Sequence, residues 1–497
     1  MLATSSREQW AEQINVVGYL SGDTDGLFRL PGGPIGFAVG ADYRREDAYS
    51  AFNTLTASGA TFLNGSGAFD LLTQEVREIF GEVRLLLLAD LPFVEELSVE
   101  DAVRYLDYNT ASKGVWAYNV GLVYSPIRDV RFRAAFARAV RAPIIGDHFS
   151  TAAETFLNSL ADPCSQTLIN DNPNRVRNCA AAGIPTTLVV NGETRPWTNT
   201  PASGISGMQA GNPNLNPETS DSLTFGAVFQ PNFVPGLSFS VDYYNIKVKS
   251  VIVAVGSQAI INQCHDDPVS INNPFYAAVF RRTSADPFAN QTFNGQRDRV
   301  VAGIPNINLP QVGPSFLQAP FNYAKLVAKG IDFEVNYVTD LATNLSLSVR
   351  GVASYNLEHE DFTFVTDPAR STRINGTLGL PAWEASFFST LDVAEFDLGY
   401  TARFVAKQTV NDWETQFSHQ GRAPINPDAT PFKYYPDTIY HNLRFGFEPE
   451  GTDFRFYMGM DNVLDQLPPR PNPGTGGGSG VYPIQGRYMY AGATVKF

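Results

Sequence analysis

The stretch Pro235-Gly236-Leu237-Ser238-Phe239-Ser240-Val241-Asp242-Tyr243 shows the pattern that recurs along the whole chain. Large apolar residues stand at positions 237, 239, 241 and 243, and Ser238, Ser240 and Asp242 fill the positions between them. Successive side chains of a β-strand point to opposite faces, so this alternation predicts a strand with one apolar and one polar face. The preceding Pro-Gly pair is typical of a turn.

The same two-residue period recurs in about fifteen segments. They begin near residues 12, 35, 75, 97, 114, 130, 220, 236, 323, 343, 382, 395, 437, 452 and 486. Most are longer than the five or six residues of an average globular strand. The sequence therefore predicts an all-β, antiparallel protein built from long strands.

The connections between these segments alternate between short and long. Short links fall at 126–129, 231–235, 340–344, 393–394 and 449–451, and long ones at 143–219, 253–322, 359–381, 409–436 and 462–485. Tight turns on one side and long loops on the other are typical of outer-membrane barrels. A soluble, secreted all-β binding protein is the alternative. Such a protein shows the same two-residue period, but it is not expected to have short turns on one side and long loops on the other.

Composition and charge exclude several classes. The chain has 497 residues, with 36 Lys and Arg against 50 Asp and Glu, so its net charge is -14. Nucleic-acid binding normally needs a basic face, so no nucleic-acid partner is expected. No window reaches the roughly 18 apolar residues of a membrane-spanning helix, whereas a spanning strand needs only about ten residues of alternating polarity. The start, Met1-Leu2-Ala3-Thr4-Ser5-Ser6-Arg7-Glu8, lacks the basic and apolar regions of a signal peptide.

Cysteine and histidine offer little chemistry. Cys164, Cys179 and Cys264 match no zinc spacing, and we interpret Cys164 and Cys179 as a loop disulfide. His148 and His265 have Asp147, Asp266 and Asp267 nearby, which leaves a metal site open, but we expect solvated loop side chains because no two histidines have ligand spacing. His441 alternates with apolar neighbours and is expected at an interface. No nucleophile elbow or phosphate-binding loop occurs, so the sequence predicts neither an enzyme nor a cofactor.

One motif points to a family. The stretch Gly211-Asn212-Pro213-Asn214-Leu215-Asn216-Pro217-Glu218-Thr219-Ser220-Asp221, which leads into a strand, resembles the barrel domain of TonB-dependent outer-membrane receptors. Residues 235–247 resemble the next strand of that family. Further resemblances are Arg141-Ala142-Pro143, Lys329-Gly330-Ile331-Asp332, Asp461-Asn462-Val463-Leu464-Asp465 and the terminal aromatic Phe497, the family's barrel-assembly signal. We expect the motif residues Asn212, Pro213, Asn216, Pro217, Glu218 and Thr219 to connect loop to strand without touching a ligand.

The resemblance implies an antiparallel transmembrane β-barrel of about 22 strands, filled by an N-terminal plug and preceded by a signal peptide and a TonB-contacting segment. The chain, residues 1–497, shows about fifteen strands and none of those three parts, so we expect an N-terminally incomplete barrel domain with long extracellular loops. On this interpretation Phe239, Val335 and Phe456 meet lipid. Arg131, Arg133, Asp242, Arg350 and Arg455 are the candidates for the lumen.

The implied function is TonB-energised uptake of a scarce ligand, such as a siderophore, cobalamin or a saccharide, across a Gram-negative outer membrane. The chain alone is expected to be inactive without its plug. Expected partners are outer-membrane lipid and lipopolysaccharide, the barrel-assembly machinery, an extracellular small-molecule ligand, and TonB where an upstream plug carries its contact segment. A passive porin remains the alternative within the membrane, with Arg131, Arg133 and Arg350 as constriction charges.

Overall fold

The computed structural model describes most of the chain. The described residues are 4–57, 69–110, 112–157, 161–184, 187–190, 192–197, 205–273, 275–279, 316–364, 367–469 and 481–496. Phe497, the predicted barrel-assembly signal, lies outside them.

Strands dominate the described chain. In chain order they are β1 Arg7–Asp23, β2 Ile35–Phe52, β3 Phe69–Leu91, β4 Val94–Tyr108, β5 Gly114–Ile127, β6 Val130–Arg141, β7 Ala153–Leu157, β8 Thr187–Val190, β9 Glu193–Pro196, β10 Ile205–Gln209, β11 Glu218–Phe229, β12 Leu237–Ala254, β13 Leu317–Gln318, β14 Pro320–Ala342, β15 Leu345–Phe362, β16 Thr372–Arg373, β17 Trp383–Val393, β18 Phe396–Val405, β19 Gln408–Thr409, β20 Tyr434–Tyr435, β21 Thr438–Phe447, β22 Phe454–Asp461 and β23 Tyr488–Val495. The helices are α1 Thr54–Ala57, α2 Ile145–Phe149, α3 Arg175–Ala181, α4 Ser257–Asp266 and α5 Trp413–Gln416, with a 3-10 turn at Tyr276–Ala278.

One sheet contains all the long strands. Its order is β1-β2-β3-β4-β5-β6-β11-β12-β14-β15-β17-β18-β21-β22-β23, and β16 adds a short pairing to β15. Each long strand pairs antiparallel with its neighbour in the chain, so the path holds fifteen strands in sequence order. This confirms the predicted fold class and strand number. Some bounds differ: β1 begins at Arg7 rather than near residue 12, and β14 runs for 23 residues.

The connections keep the predicted alternation. Two-residue turns join β14 to β15 and β17 to β18, and Asn344 and Ala394 adopt positive φ of 60° and 49° in them. Such left-handed residues turn the chain tightly enough for adjacent strands to pair at once. The opposite ends carry the long loops, with two exceptions: the five-residue link 109–113 between β4 and β5, and the eleven-residue connection 24–34 between β1 and β2, which lies at the end of the short turns. We call residues 142–217 the first loop and residues 255–319 the second loop.

The two faces of the sheet differ in chemistry. Register aligns Phe239 with Val335 and with Phe229, and Phe447 with Phe456, so these side chains share one face, which we call the apolar face. Phe239 remains 39% exposed and Phe456 47% exposed, although large apolar side chains are normally covered in a water-soluble sandwich. The other sheets of the described chain are small, with two or three short strands each, and their strands belong to the long loops. The exposed apolar face therefore favours the membrane barrel over the soluble alternative.

Tightly packed apolar residues lie in the long loops instead. One buried cluster combines both long loops around Ile260, Ile261, Phe275 and Phe316. A second joins Val405, Val410, Tyr435, Tyr440 and Tyr482. Among the described residues, no helix has the length and apolar character needed to cross a membrane.

Candidate functional site: the long loops and the polar face

The predicted family motif lies where the first loop descends into β11. The side chain of Asn212 accepts a hydrogen bond from the backbone N–H of Asn214 at 3.0 Å, which forms a tight turn, and its Nδ2 donates to the carbonyl of Pro320 at 3.0 Å. Pro213 lies within this turn, and Pro217 is buried directly before β11. The Asn-Pro pairs thus position the loop against the start of β14, consistent with a connector role.

A pair of asparagines closes the same junction. The Oδ1 of Asn322 accepts from the N–H of Asn216 at 2.7 Å, and Nδ2 of Asn322 donates back to the Asn216 carbonyl at 2.7 Å. Asn322 also donates to the carbonyl of Ser250 at 2.8 Å. Sequence reasoning missed Asn322, because a single Asn at the start of a strand carries no signal of a partner 106 residues away.

Glu218 fills a gap in the backbone ladder. The pairing of β12 with β14 slips between Val248 and Val251, where Ser250 adopts a φ of 55°. The carboxylate of Glu218 accepts from the N–H of Ile252 at 2.8 Å and from Nη1 of Arg141 at 2.7 Å. A buried N–H without a partner is costly, so Glu218 supplies the acceptor that the bulge removes. Thr219, beside it, pairs in register with Lys249 and Val140.

The first and second loops fold into one body above this junction. Cys164 and Cys179 form a disulfide with a Cα–Cα distance of 5.6 Å, and Trp197 packs against them. Arg175 in α3 donates from Nε to Oδ1 of Asp266 at 2.6 Å and from Nη2 to Oδ2 at 3.1 Å. This bidentate pair joins α3 of the first loop to the end of α4 in the second.

Two histidines were expected to be solvated, and that expectation is wrong for both. His148 and His265 are each only 1% exposed, because α2 and α4 pack inward against the loop body. Burial lowers the pKa of His148, which favours the neutral ring. The metal site that Asp147, Asp266 and Asp267 suggested is not assembled among the described residues, where the group of potential ligands within 4.8 Å of one another is Cys164, Cys179 and His265.

The described parts of the loops 363–382, 406–437 and 462–487 form a second body at the same end. Gln408 donates to the hydroxyl of Tyr482 at 2.8 Å, and burial raises the pKa of that phenol. His419 Nε2 lies 2.8 Å from the Ser371 hydroxyl and 3.7 Å and 3.9 Å from carboxylate oxygens of Glu360 and Glu414. In a serine hydrolase the acid contacts the other ring nitrogen of the histidine. Both acids here approach the nitrogen that faces Ser371, so this cluster lacks the geometry of a catalytic triad.

His441, expected at an interface, lies on the apolar face of β21 in register with Ala402. Its Nδ1 is 2.8 Å from the hydroxyl of Tyr400 on the neighbouring strand. The ring is stacked on that of Tyr400, with centroids 6.0 Å apart.

Paired charges cover the opposite, polar face of the sheet, where all five lumen candidates lie. Arg133 donates to Asp242 at 2.7 Å, and three further arginines each contact a carboxylate on another strand. These pairs are Arg131 with Glu96 at 3.0 Å, Arg350 with Glu334 at 3.0 Å and Arg455 with Asp397 at 2.7 Å. Each of these arginines is therefore paired with a carboxylate of another strand on the polar face.

A groove of about 460 Å³ follows this face. Its charged lining residues are Arg133, Asp242, Asp332, Glu334, Glu384 and Arg403. Four carboxylates thus stand against two guanidinium groups, and the groove carries a negative balance.

The architecture is that of an antiparallel transmembrane β-barrel with its long loops at one end. Within that class the family follows from sequence, since the model of the TonB-dependent receptor-like β-barrel matches residues 3–463. The chain belongs to this family, which consists of receptors and transporters rather than enzymes.

Solved structures share the fold. The siderophore receptor PirA from Acinetobacter baumannii superposes with a TM-score of 0.58 at 13% identity, over 98% of this chain and 55% of that one. A mutant of the ferric enterobactin receptor PfeA from Pseudomonas aeruginosa, in complex with enterobactin, gives 0.57 at 14% identity, over 98% and 55%. The chain therefore spans about half the length of these receptors. No curated protein matches it.

Proposed function

We propose that the chain forms the barrel wall of an outer-membrane receptor that takes up a scarce extracellular ligand. The observation that carries the proposal is the position of two folded loop bodies at one end of the sheet. The polar face of the same sheet holds the paired charges. Loops that pack on themselves, as around Ile260 and Tyr435, offer a shaped surface to a ligand.

The proposed location is the outer membrane of a Gram-negative bacterium. The uncovered apolar face, with Phe239 and Phe456 among its residues, suits hydrocarbon on the outside of the wall. Outer-membrane lipid and lipopolysaccharide are then the partners of this face. The barrel-assembly machinery is the proposed partner during insertion.

Import by this route is energised by TonB, which acts through a plug domain. We place the plug, its TonB-contacting segment and about seven further strands outside the chain, and the 55% coverage of the solved receptors supports this division. The chain by itself then contributes the wall and the loops, and it is inactive in energised import without the plug.

Uptake assays test this function. Cells that lack the whole receptor, including the proposed plug, are compared with cells complemented with it for uptake of ferric siderophores, cobalamin and oligosaccharides at limiting concentration. Ferric siderophores come first, because the two solved receptors are described by their siderophore ligands. We expect saturable uptake of one ligand class that requires both the gene and TonB. Non-saturable uptake that persists without TonB would support a passive pore instead.

A further inference from the structure

Three buried side chains of metal-ligand type meet where the first loop packs on α4. The Sγ atoms of Cys164 and Cys179 and a ring nitrogen of His265 all lie within 4.8 Å of one another. None of the three residues is more than 2% exposed. The two cysteines are joined in a disulfide, and a disulfide is not a thiolate ligand.

The ring of His265 is fixed by a contact within α4. Its Nδ1 is 2.8 Å from the backbone carbonyl of Ile261, one turn earlier in α4. A carbonyl can only accept, so Nδ1 carries the proton and the lone pair of the neutral ring is on Nε2. Ligating histidines in metalloproteins commonly donate their other ring N–H to a backbone carbonyl in the same way.

The surrounding contacts do not depend on the disulfide. Arg175 binds Asp266 through two hydrogen bonds, and Nδ2 of Asn178 donates to the carbonyls of His265 at 2.9 Å and Asp267 at 2.8 Å. Cys179 follows Asn178 directly in α3. These hydrogen bonds join α3 to α4 without involving either sulfur.

We propose that reduction converts this disulfide into a Cys₂His site for Zn²⁺ or a similar d¹⁰ cation. A dithiol supplies two electrons and two protons to the S–S bond, giving two thiols while the dithiol becomes a disulfide. Zn²⁺ then displaces both thiol protons, Nε2 of His265 gives the third ligand, and water takes the fourth position. Tetrahedral Zn–S and Zn–N bonds of about 2.3 and 2.0 Å separate ligand atoms by roughly 3.3 to 3.8 Å, so the two sulfurs move apart from their bonded distance when the metal binds.

The disulfide and the bound metal cross-link different segments of the chain. Both cysteines belong to the first loop, so the disulfide closes a ring within that loop. A bound cation also includes His265 and so ties the first loop to the second. The loop body thus stays cross-linked in both redox states.

Cobalt binding tests the site on the folded full chain in detergent. The chain is reduced with a phosphine, which does not supply a thiol, and is titrated with Co²⁺ and then Zn²⁺. We expect one thiolate-to-cobalt charge-transfer signal per reduced chain, displaced by Zn²⁺, and none from the oxidised chain. His265→Gln should weaken Co²⁺ binding by about tenfold or more. The matched controls His148→Gln, at another buried loop histidine, and Cys264→Ser, at the remaining cysteine, should bind as the wild type does.

Three results would overturn the proposal: no signal from the reduced chain, an unchanged affinity in His265→Gln, or loss of the signal in Cys264→Ser. Limited proteolysis tests the site if reduction opens the first loop. Zn²⁺ should restore the protease resistance of residues 161–184 after reduction. A reduced loop that stays open with Zn²⁺ present contradicts the site.

Discussion

Arg133 in β6 and Asp242 in β12 are joined by two hydrogen bonds across the strand that separates them. The residue between them in register is Gly226 of β11. A Cβ atom on Gly226 would lie 1.9 Å from Oδ1 of Asp242, so the missing side chain is what lets the ion pair bridge three strands.

A similar arrangement, with the arginine displaced by two residues along its strand, occurs a second time. Arg455 in β22 contacts Asp397 in β18 at 2.7 Å across β21, where a Cβ on Gly446 would lie 2.0 Å from Oδ1 of Asp397. Glycine in a strand normally weakens it. At these two positions it makes room for a charge pair on the polar face.

Replacing Gly226 with alanine should therefore destabilise the sheet by about 1 to 3 kcal/mol, the usual cost of overpacking. Denaturant unfolding in detergent measures the change. Gly121→Ala in β5 is the matched control, because its added Cβ meets only ordinary contacts at 3.8 Å or more. In an Asp242→Ala background the cost of Gly226→Ala should largely vanish. Equal costs in both backgrounds would rule out the steric link to Asp242.

Adjacent residues of β12 lie on opposite faces of the sheet. Val241 shares the apolar face, and Ser240 lines the groove on the polar face. Val241→Arg should cost about 2 to 4 kcal/mol if the residue lies near mid-bilayer, and Ser240→Arg far less. Unfolding of both variants from lipid vesicles gives the comparison. Similar losses for the two arginines would contradict the assignment of lipid to the apolar face.

Glu218 should stabilise the junction mainly as an acceptor for the bulge in β12. Glu218→Ala leaves the N–H of Ile252 without this partner and should cost about 1 to 3 kcal/mol. Amide hydrogen exchange at Ile252 should accelerate at the same time. Glu218→Gln keeps an acceptor oxygen and loses only the charge beside Arg141, so it should retain most of the protection. Unchanged amide exchange at Ile252 in Glu218→Ala would contradict the role of Glu218 as its acceptor.

His148 should make the first loop sensitive to acid. Burial lowers its pKa below the ordinary value of 6.5, so the unfolded loop binds the proton more readily than the folded one. Stability is then complete above about pH 6.5, falls as the pH drops below that value and levels off below the folded pKa. Protease cleavage around residues 145–150 should rise in this window. His148→Phe, with a ring that does not titrate, should abolish the rise, and a rise that persists in this variant would assign it to another group.

The sequence predicts the sheet well because its signal is local. Alternation within residues 237–243 determines which side chains share a face without knowledge of any other strand. The loop bodies were not predictable in the same way. Arg175 meets Asp266 from 91 residues away, and Asn216 meets Asn322 from 106 residues away, in segments without periodicity. His148 and His265 lie in polar stretches that give no indication of burial, which is why their solvation was predicted wrongly.

The most direct test of the account is the side of the membrane on which each end of the sheet lies. Asp428 in the long loop between β18 and β21 and Thr343 in the turn between β14 and β15 are both exposed. Each is replaced by cysteine, and intact cells that produce the protein are treated with a membrane-impermeant maleimide. We expect Asp428→Cys to be labelled on intact cells and Thr343→Cys only after the outer membrane is opened. Labelling of both on intact cells, or of neither until lysis, would contradict a barrel wall with its long loops outside.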